Sequence, residues 1–384
     1  MPQIRINAPA KLNLHLNVGG LRSDGFHDIN SLFLALDFCD TLDICAAEGT
    51  AKGAAVEIIM NPQFPAGNNF PDIPLEDNII SRAVSMFRDR TGFDKRLKIT
   101  VEKRIPAGGG LGGGSSNAAA TLLALNRLAF PQTGGLDTET LLEMGAALGS
   151  DVPFFLSIGG NAKGNASGAA CGAALVGGRG EFVRPFPLPD AVRNLSFLLV
   201  TPGFSSDTAS AYRLLDNYRQ NGKCLTRKNF NTEDTENTEG CLRKIQREAV
   251  SAGDEKEEGR PQPFIPSSVN SASSVFFTFP CEKKFEKILA LPPCEWPFFN
   301  DFLPVFEEGA AVGSPGAVYR EIISGLKELG AGFAGLSGSG SACFGVFSSP
   351  AEARKAKTAL FKRFPYIYET FPLAYQSIQY YNRK

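Results

Sequence analysis

The chain has 384 residues, 43% of them hydrophobic, and its 39 Lys and Arg against 40 Asp and Glu leave a formal net charge of −1. That balance argues against nonspecific wrapping of nucleic acid, and no apolar run approaches the ~20 residues of a membrane span. With only two histidines, His15 and His27, the chain leaves little room for a multi-histidine metal centre, and the eight cysteines show neither Cys-x-x-Cys pairs nor zinc spacing.

Most of the cysteines lie beside apolar residues and read as buried free thiols in a reducing cytoplasm, and the length predicts two domains sharing a cleft. With no apolar leader in view, folded sequence is expected to begin by Ile4. From residue 8 to residue 18 the apolar residues fall on even positions (Ala8, Ala10, Leu12, Leu14, Leu16, Val18), the period-two pattern of a half-buried strand. The odd positions carry Lys11, Asn13, His15 and Asn17, and for His15 and Asn17 a solvated face is the expectation. Asp24-Gly25 then signals a hairpin turn before Phe26-His27. Residues 31–44 predict one strand and the start of the next, with Asp40-Thr41 at the turn; 56–60 predict another. Asn78 heads a helix whose apolar stripe is Ile79, Ile80, Ala83, Val84 and Phe87.

An alternating run over 97–105 leads into residues 106–121, PAGGGLGGGSSNAAAT. Six of the seven residues 108–114 are glycine, so backbone N–H groups can approach a ligand without interference from Cβ atoms. Ser115 and Ser116 place hydroxyls where the helical run 117–128 should begin, where free amides and the helix dipole favour an anion. Strand, glycine turn and helix start in that order make a phosphate cradle. It is not a Walker A loop, because no Gly-Lys-Ser or Gly-Lys-Thr follows, and it lacks the downstream acidic residue of a dinucleotide fingerprint. A flexible linker would not run directly into Ala119-Ala120-Thr121-Leu122-Leu123.

A helix over 137–148 should end at Gly149, followed by Ser150-Asp151-Val152-Pro153. Residues 163–174 read as an inserted Gly/Ala-rich surface loop, 195–200 as a strand, and 207–218 as a helix containing Tyr212. Residues 219–274 are rich in Asn, Thr, Ser, Glu and Pro; such composition predicts a largely disordered insertion, with a short helix around 242–249. Beyond it come a helix over 317–329, a second glycine-rich turn, Leu336-Ser337-Gly338-Ser339-Gly340-Ser341-Ala342-Cys343-Phe344, between two short strands, and a helix over 354–364.

The glycine loop, the opening Ala8-Pro9-Ala10-Lys11-Leu12-Asn13-Leu14 and the second glycine turn together resemble the three motifs of the GHMP kinase superfamily, in its order. Gly-x-x-x-Asp-Gly-Phe-His and Leu-Gly-Ser-Asp-Val-Pro are similar to the branch that phosphorylates the 2-hydroxyl of 4-diphosphocytidyl-2-C-methyl-D-erythritol. The resemblance covers roughly residues 4–218 and 296–364. It implies an α+β fold with a ribosomal-S5-like N-terminal domain (1–157) and a ferredoxin-like C-terminal domain (158–384). By the same resemblance Lys11 and Asp151 are the catalytic pair. Asn78, Pro106, Ala107, Gly108, Gly109, Gly110, Leu111, Gly112, Gly113, Gly114, Ser115 and Ser116 bind ATP, and Ser116 is the candidate ligand of Mg²⁺. Asn13, Phe26, His27 and Tyr212 take the cytidine diphosphate-linked substrate, with Phe204 the alternative to Tyr212. The family usually has Tyr where Phe26 stands, and Ala where Ser150 stands. The partner implied is a small molecule; neither nucleic acid, membrane nor a protein partner is indicated. Two other readings stay open: a superfamily kinase acting on homoserine or mevalonate, and a non-catalytic nucleotide-binding module.

Overall fold

In the computed structural model, which describes residues 3–47, 55–63, 74, 76–132, 135–159, 172–223, 282–373 and 381–382, the first alternating run becomes strand β1 (Gln3–Leu21). It pairs antiparallel with β2 (His27–Ala47). The connection has the expected turn chemistry: Gly25 has φ 81° and Asp24 accepts the Phe26 amide at 3.2 Å. β2 is one continuous strand, so the expected turn at Asp40-Thr41 does not form. Asp40 is instead fully buried; its carboxylate pairs with Lys103 and accepts the amides of Arg104 and Ile105 at 2.7 and 2.8 Å. A buried carboxylate with three donors has no need of solvent, and the strand continues through it. Burial pulls the Lys103 ammonium below its ordinary range, with Asp40 working against that shift.

β3 (Val56–Pro62) runs parallel to β4 (Arg96–Lys103), and β4 and β5 (Ala173–Gly178) both pair with β2, while β6 (Phe182–Phe186) closes on β5. Helices α1 (Ile79–Thr91), α2 (Gly113–Ala129), α3 (Thr138–Leu148) and α4 (Val152–Gly159) bury their apolar faces in the core beside this sheet. Four of the five stripe residues predicted for α1 are buried: Ile80, Ala83, Val84 and Phe87. Gly149 does end α3, though in an extended conformation rather than the left-handed one common at helix ends. After the short α5 (Asp190–Arg193), a second, antiparallel sheet has the order β10 (Tyr366–Thr370), β7 (Ser196–Thr201), β9 (Cys343–Phe347), β8 (Phe333–Leu336). It is accompanied by α6 (Thr208–Gln220), α7 (Glu282–Leu289), α8 (Phe302–Glu307), α9 (Pro315–Glu328) and α10 (Pro350–Leu360). β11 (Tyr381–Asn382) returns to pair with β1.

The fold is α+β, as expected. β5 and β6 complete the first sheet, so the passage to the second falls between β6 and β7 and does not coincide with the expected division at 157/158. Residues 163–171 and 224–274, with the helix expected near 242–249, lie outside the described residues. Residues 173 and 174, expected to end the first insertion, are buried at the start of β5.

β1 departs from simple alternation in a way that matters for the site. Its pairing with β2 shifts register between Pro9 and Lys11 and again between Asn13 and His15. Ile4, Ile6, Ala8, Leu16 and Val18 share the core with the first-sheet helices. Ala10, Leu12 and Leu14 instead join a second core with Phe197, Leu199, Phe344 and Val346 of the other sheet. Each register shift exchanges the faces of the strand, as an inserted residue does. The odd-numbered positions from 11 to 15 are therefore not solvated: Lys11, Asn13 and His15 are all buried, with His15 among Phe285, Phe298 and Phe299, while Asn17 beyond them is only half-buried. Among the described residues no helix is long and apolar enough to cross a membrane.

Removing one partner of the Asp40–Lys103 pair leaves an uncompensated buried charge. Asp40→Ala should lower the unfolding free energy by about 3–5 kcal/mol, while Asp40→Leu combined with Lys103→Met should recover only part of it, because the amides of Arg104 and Ile105 still lose their acceptor. Urea unfolding of the two variants checks this.

Candidate active site

The glycine loop connects β4 to α2 and is bound on its carbonyl side to the second glycine turn. Gly108 O accepts the amides of Ser206 and Ser341 at 3.0 and 3.2 Å, Gly109 O accepts that of Ala342 at 3.1 Å, and Gly110 O accepts the Ser337 hydroxyl at 3.1 Å. Leu111, the one large side chain between these glycines, is buried in the core between the sheets and anchors the loop there. The close approach requires glycine. At Gly110, φ is 70° and a Cβ would lie 2.3 Å from Ser337 O; at Gly108, φ is 66° and a Cβ would lie 2.5 Å from the Ser205 Cβ.

α2 begins at Gly113, capped by left-handed Gly112, which has no side chain to offer its amides. The expected start at the serines is therefore corrected: Ser115 and Ser116 lie in the first helical turn. An uncapped first turn leaves the leading amides for an outside acceptor, where the helix dipole favours an anion. Ser116 is 1% exposed, and its hydroxyl has no hydrogen-bond partner among the described residues. Pro106 is half-buried, and Ala107, Gly108 and Gly114 are open to solvent. Asn78 caps α1, accepting the Ile80 amide at 2.9 Å. The start of α1 adjoins that of α2: a Cβ on Gly114 would meet Ile79 at 3.9 Å.

Lys11 reaches this loop from β1. The register shift after Pro9 takes its amide off the β2 ladder, and it donates to Leu111 O at 2.9 Å. The ammonium donates to Asn13 Oδ1 at 2.7 Å, lies 3.4 Å from Asp151 Oδ2 and sits 4.5 Å from the centre of the Phe33 ring. Asn13 in turn donates to the Ser31 hydroxyl at 2.9 Å, and Ser31 donates to His15 O at 2.5 Å. This chain of bonds leaves Lys11 little rotational freedom. Asp151 occupies the turn between α3 and α4, where its carboxylate is partly open to solvent.

His27 and Tyr212 meet across the two halves of the chain. Their rings stack with centroids 4.9 Å apart, and Tyr212 rests edge-on against Phe302. Burial, with the Asp151 charge adding to it, pushes the Tyr212 hydroxyl up to about 12. His27 Nε2 lies 2.8 Å from Asp216 Oδ1. Phe26 is 49% exposed, with the Arg179 guanidinium over its ring at 4.8 Å. Phe204 packs towards Tyr319.

The structure thus gathers Lys11, Asn13 and Asp151 at the loop and His27 with Tyr212 beside them. Phe26 stands at the hairpin tip, and Asn78 lies at the helix start behind the loop. Sequence reasoning missed Ser31, Arg179, Asp216 and the loop's contacts with Ser206, Ser337 and Ser341. Of these only Asp216 carried a usable signal, because it follows Tyr212 by four residues on one predicted helix. No group of three or more His, Cys, Asp or Glu among the described residues is placed to hold a metal ion.

The sequence matches the family model described as GHMP kinases N terminal domain over residues 78–159 and that described as GHMP kinases C terminal over 298–366. The 4-diphosphocytidyl-2-C-methyl-D-erythritol kinase of Methylococcus capsulatus is 38% identical over 220 residues, covering 57% of this chain and 65% of that protein. The chloroplastic 4-diphosphocytidyl-2-C-methyl-D-erythritol kinase of Mentha piperita is 36% identical over 215 residues, 56% of this chain and 46% of that one. The chain thus spans less than two thirds of the length of these curated relatives. A crystal structure of 4-(cytidine 5'-diphospho)-2C-methyl-D-erythritol kinase superposes with a TM-score of 0.58 at 25% identity, covering 96% of this chain and 100% of that one. Homoserine kinase from Cytophaga hutchinsonii, at 17% identity and a TM-score of 0.55, shares the fold.

Gly110→Ala combines a left-handed backbone with a clash against a fixed carbonyl, and should cost about 2–4 kcal/mol. Gly114→Ala meets only an ordinary contact and should leave stability within about 0.5 kcal/mol of the parent. Thermal unfolding of the pair distinguishes a loop held by its backbone contacts from one that is merely flexible.

Proposed function

We propose that the chain is a GHMP kinase, an ATP-dependent kinase of the 2-hydroxyl of 4-diphosphocytidyl-2-C-methyl-D-erythritol, a reading supported by its matches to the two GHMP kinase family models. That reaction belongs to the non-mevalonate (methylerythritol phosphate) route to isoprenoid precursors. The observation that carries the reading is the placement of the Lys11–Asp151 pair at the glycine loop with the stacked His27–Tyr212 pair alongside. The relatives named for this reaction support it.

In this reading the amides of the loop and of the first turn of α2 bind the ATP phosphates, with Asn78 near the adenine. The unpartnered Ser116 hydroxyl fits a ligand of Mg²⁺. When bound, the ion neutralises phosphate charge. Asp151 orients the substrate hydroxyl and accepts its proton as the oxygen attacks the terminal phosphorus and ADP leaves. Lys11, held by Asn13, sets a positive charge at the carboxylate and towards the transferred phosphoryl group. His27 contacts the cytosine, with Phe26 and Tyr212 as flat faces. A cytoplasmic location is part of the proposal; of the free thiols, Cys39 and Cys343 are buried as expected, whereas Cys45 is half-buried and Cys294 is exposed.

The presence of both Lys11 and Asp151 argues against a non-catalytic module, and the His27–Tyr212 pair argues against a homoserine or mevalonate kinase. An ADP-release assay over the cytidyl alcohol, homoserine and mevalonate should give turnover with the first alone; preference for either of the others overturns the assignment.

Asp151→Asn keeps the volume and removes the basicity, so kcat should fall by about 10²–10⁴-fold. Lys11→Met should also lower kcat, and the double variant should be little worse than either single one, as for groups that act as a unit. Steady-state kinetics on the three variants tests this; near-normal turnover in Asp151→Asn removes the carboxylate from the mechanism. Tyr212→Ala should raise KM for the cytidyl alcohol roughly fivefold with little change in KM for ATP. Equal damage to both places Tyr212 elsewhere.

A further inference from the structure

We propose that Asp216 is a positioning residue that holds His27 in its Nε2–H tautomer and thereby makes the site select cytosine over uracil. The inference rests on the reading of His27 as a base contact and adds to it the origin of base discrimination.

Tyr212 and Asp216 are four residues apart on α6 and so project from one face of the helix. Both act on the same imidazole. Tyr212 stacks on its ring at 4.9 Å and 30°, and Asp216 Oδ1 lies 2.8 Å from its Nε2. One contact fixes the plane of the ring and the other fixes its rotation within that plane. His27 itself is 7% exposed, at the start of β2, so the backbone leaves it no alternative placement.

A carboxylate has lone pairs and no hydrogen to give, so the nitrogen facing Asp216 must carry the proton. In the neutral ring the other nitrogen, Nδ1, is then left as an acceptor. The contact with Asp216 engages Nε2 and not Nδ1. Cytosine carries an exocyclic amino donor where uracil carries a carbonyl acceptor. An acceptor nitrogen pairs with the first and faces the second lone pair to lone pair. Without Asp216 the imidazole has no fixed tautomer: the proton moves to whichever nitrogen suits the base presented, and the two pyrimidines become nearly equivalent. The selectivity therefore resides in a carboxylate that need not touch the base.

The test uses the full-length protein with CDP and UDP as probes, their affinities measured by calorimetric titration. The unsubstituted protein should favour CDP by at least ~tenfold, and Asp216→Asn, whose amide can either donate or accept, should narrow that ratio by roughly tenfold. A variant that weakens both nucleotides by the same factor, or keeps the parent ratio, overturns the proposal, since a merely structural carboxylate would behave in that way. A second measurement needs no substitution of Asp216. The chain has two histidines, so the ¹⁵N imidazole spectrum of the parent, compared with that of His15→Asn, isolates His27. Protonation at Nε2 is expected, and a neutral ring protonated at Nδ1 overturns the proposal. If the parent binds neither nucleotide, the cytidyl reading of the site falls first. CDP binding with an unchanged ratio in the variant leaves that reading standing and removes only the role of Asp216.

Discussion

The site depends on how the carbonyls of the glycine loop are satisfied. A loop with almost no side chains cannot hold its own shape, and unpaired carbonyls near a polyanion would repel it. Here Gly108, Gly109 and Gly110 direct their carbonyls to donors on the second half of the chain: the amides of Ser206, Ser341 and Ala342 and the hydroxyl of Ser337. With one side of each peptide committed, the loop is fixed and its amides remain for a ligand. The loop therefore belongs to both halves, and Leu111, buried between the sheets, anchors it mechanically.

The same logic governs Lys11. A buried ammonium is costly unless surrounded by acceptors, and it finds Asn13, Asp151 and the face of Phe33. Two register shifts in β1 bring this about by turning residues 11 and 13 to the face that the sheet would otherwise reserve for apolar side chains. The displaced Ala10, Leu12 and Leu14 fill the core between the sheets. One irregularity thus serves both packing and placement of charge.

Asp40 and Lys103 show a related economy beneath the loop. The carboxylate holds the Lys103 side chain and the amides of Arg104 and Ile105, the residues at which β4 gives way to the loop. Lys103 also lies close under the start of α2, where a Cβ on Gly113 would come within 2.9 Å of its Nζ. A buried ion pair adds little net stability, but it defines where the strand must stop.

Much of this protein was legible from local chemistry. The Asn78 cap, four of the five residues of the α1 stripe and the Asp-Gly turn each depend on residues close in sequence and form as read, and the glycine run joins strand to helix, although the helix starts at Gly113 rather than at the serines. The α+β class and the resemblance to GHMP kinases followed from three motifs in order. What failed was whatever depended on distant partners. Asp40 looked like a turn residue because its acceptors' partners lie more than 60 positions away. His15 looked solvated because the phenylalanines covering it come from residues 285–299. The sheet membership of β5 and β6 was hidden for the same reason, as β5 pairs with the distant β2 and β6 joins the sheet only through β5. The sequence by itself determined which residues could do the chemistry. Only the tertiary structure decided which of them meet, because a period-two pattern records that a strand has two faces and not what will be packed against each.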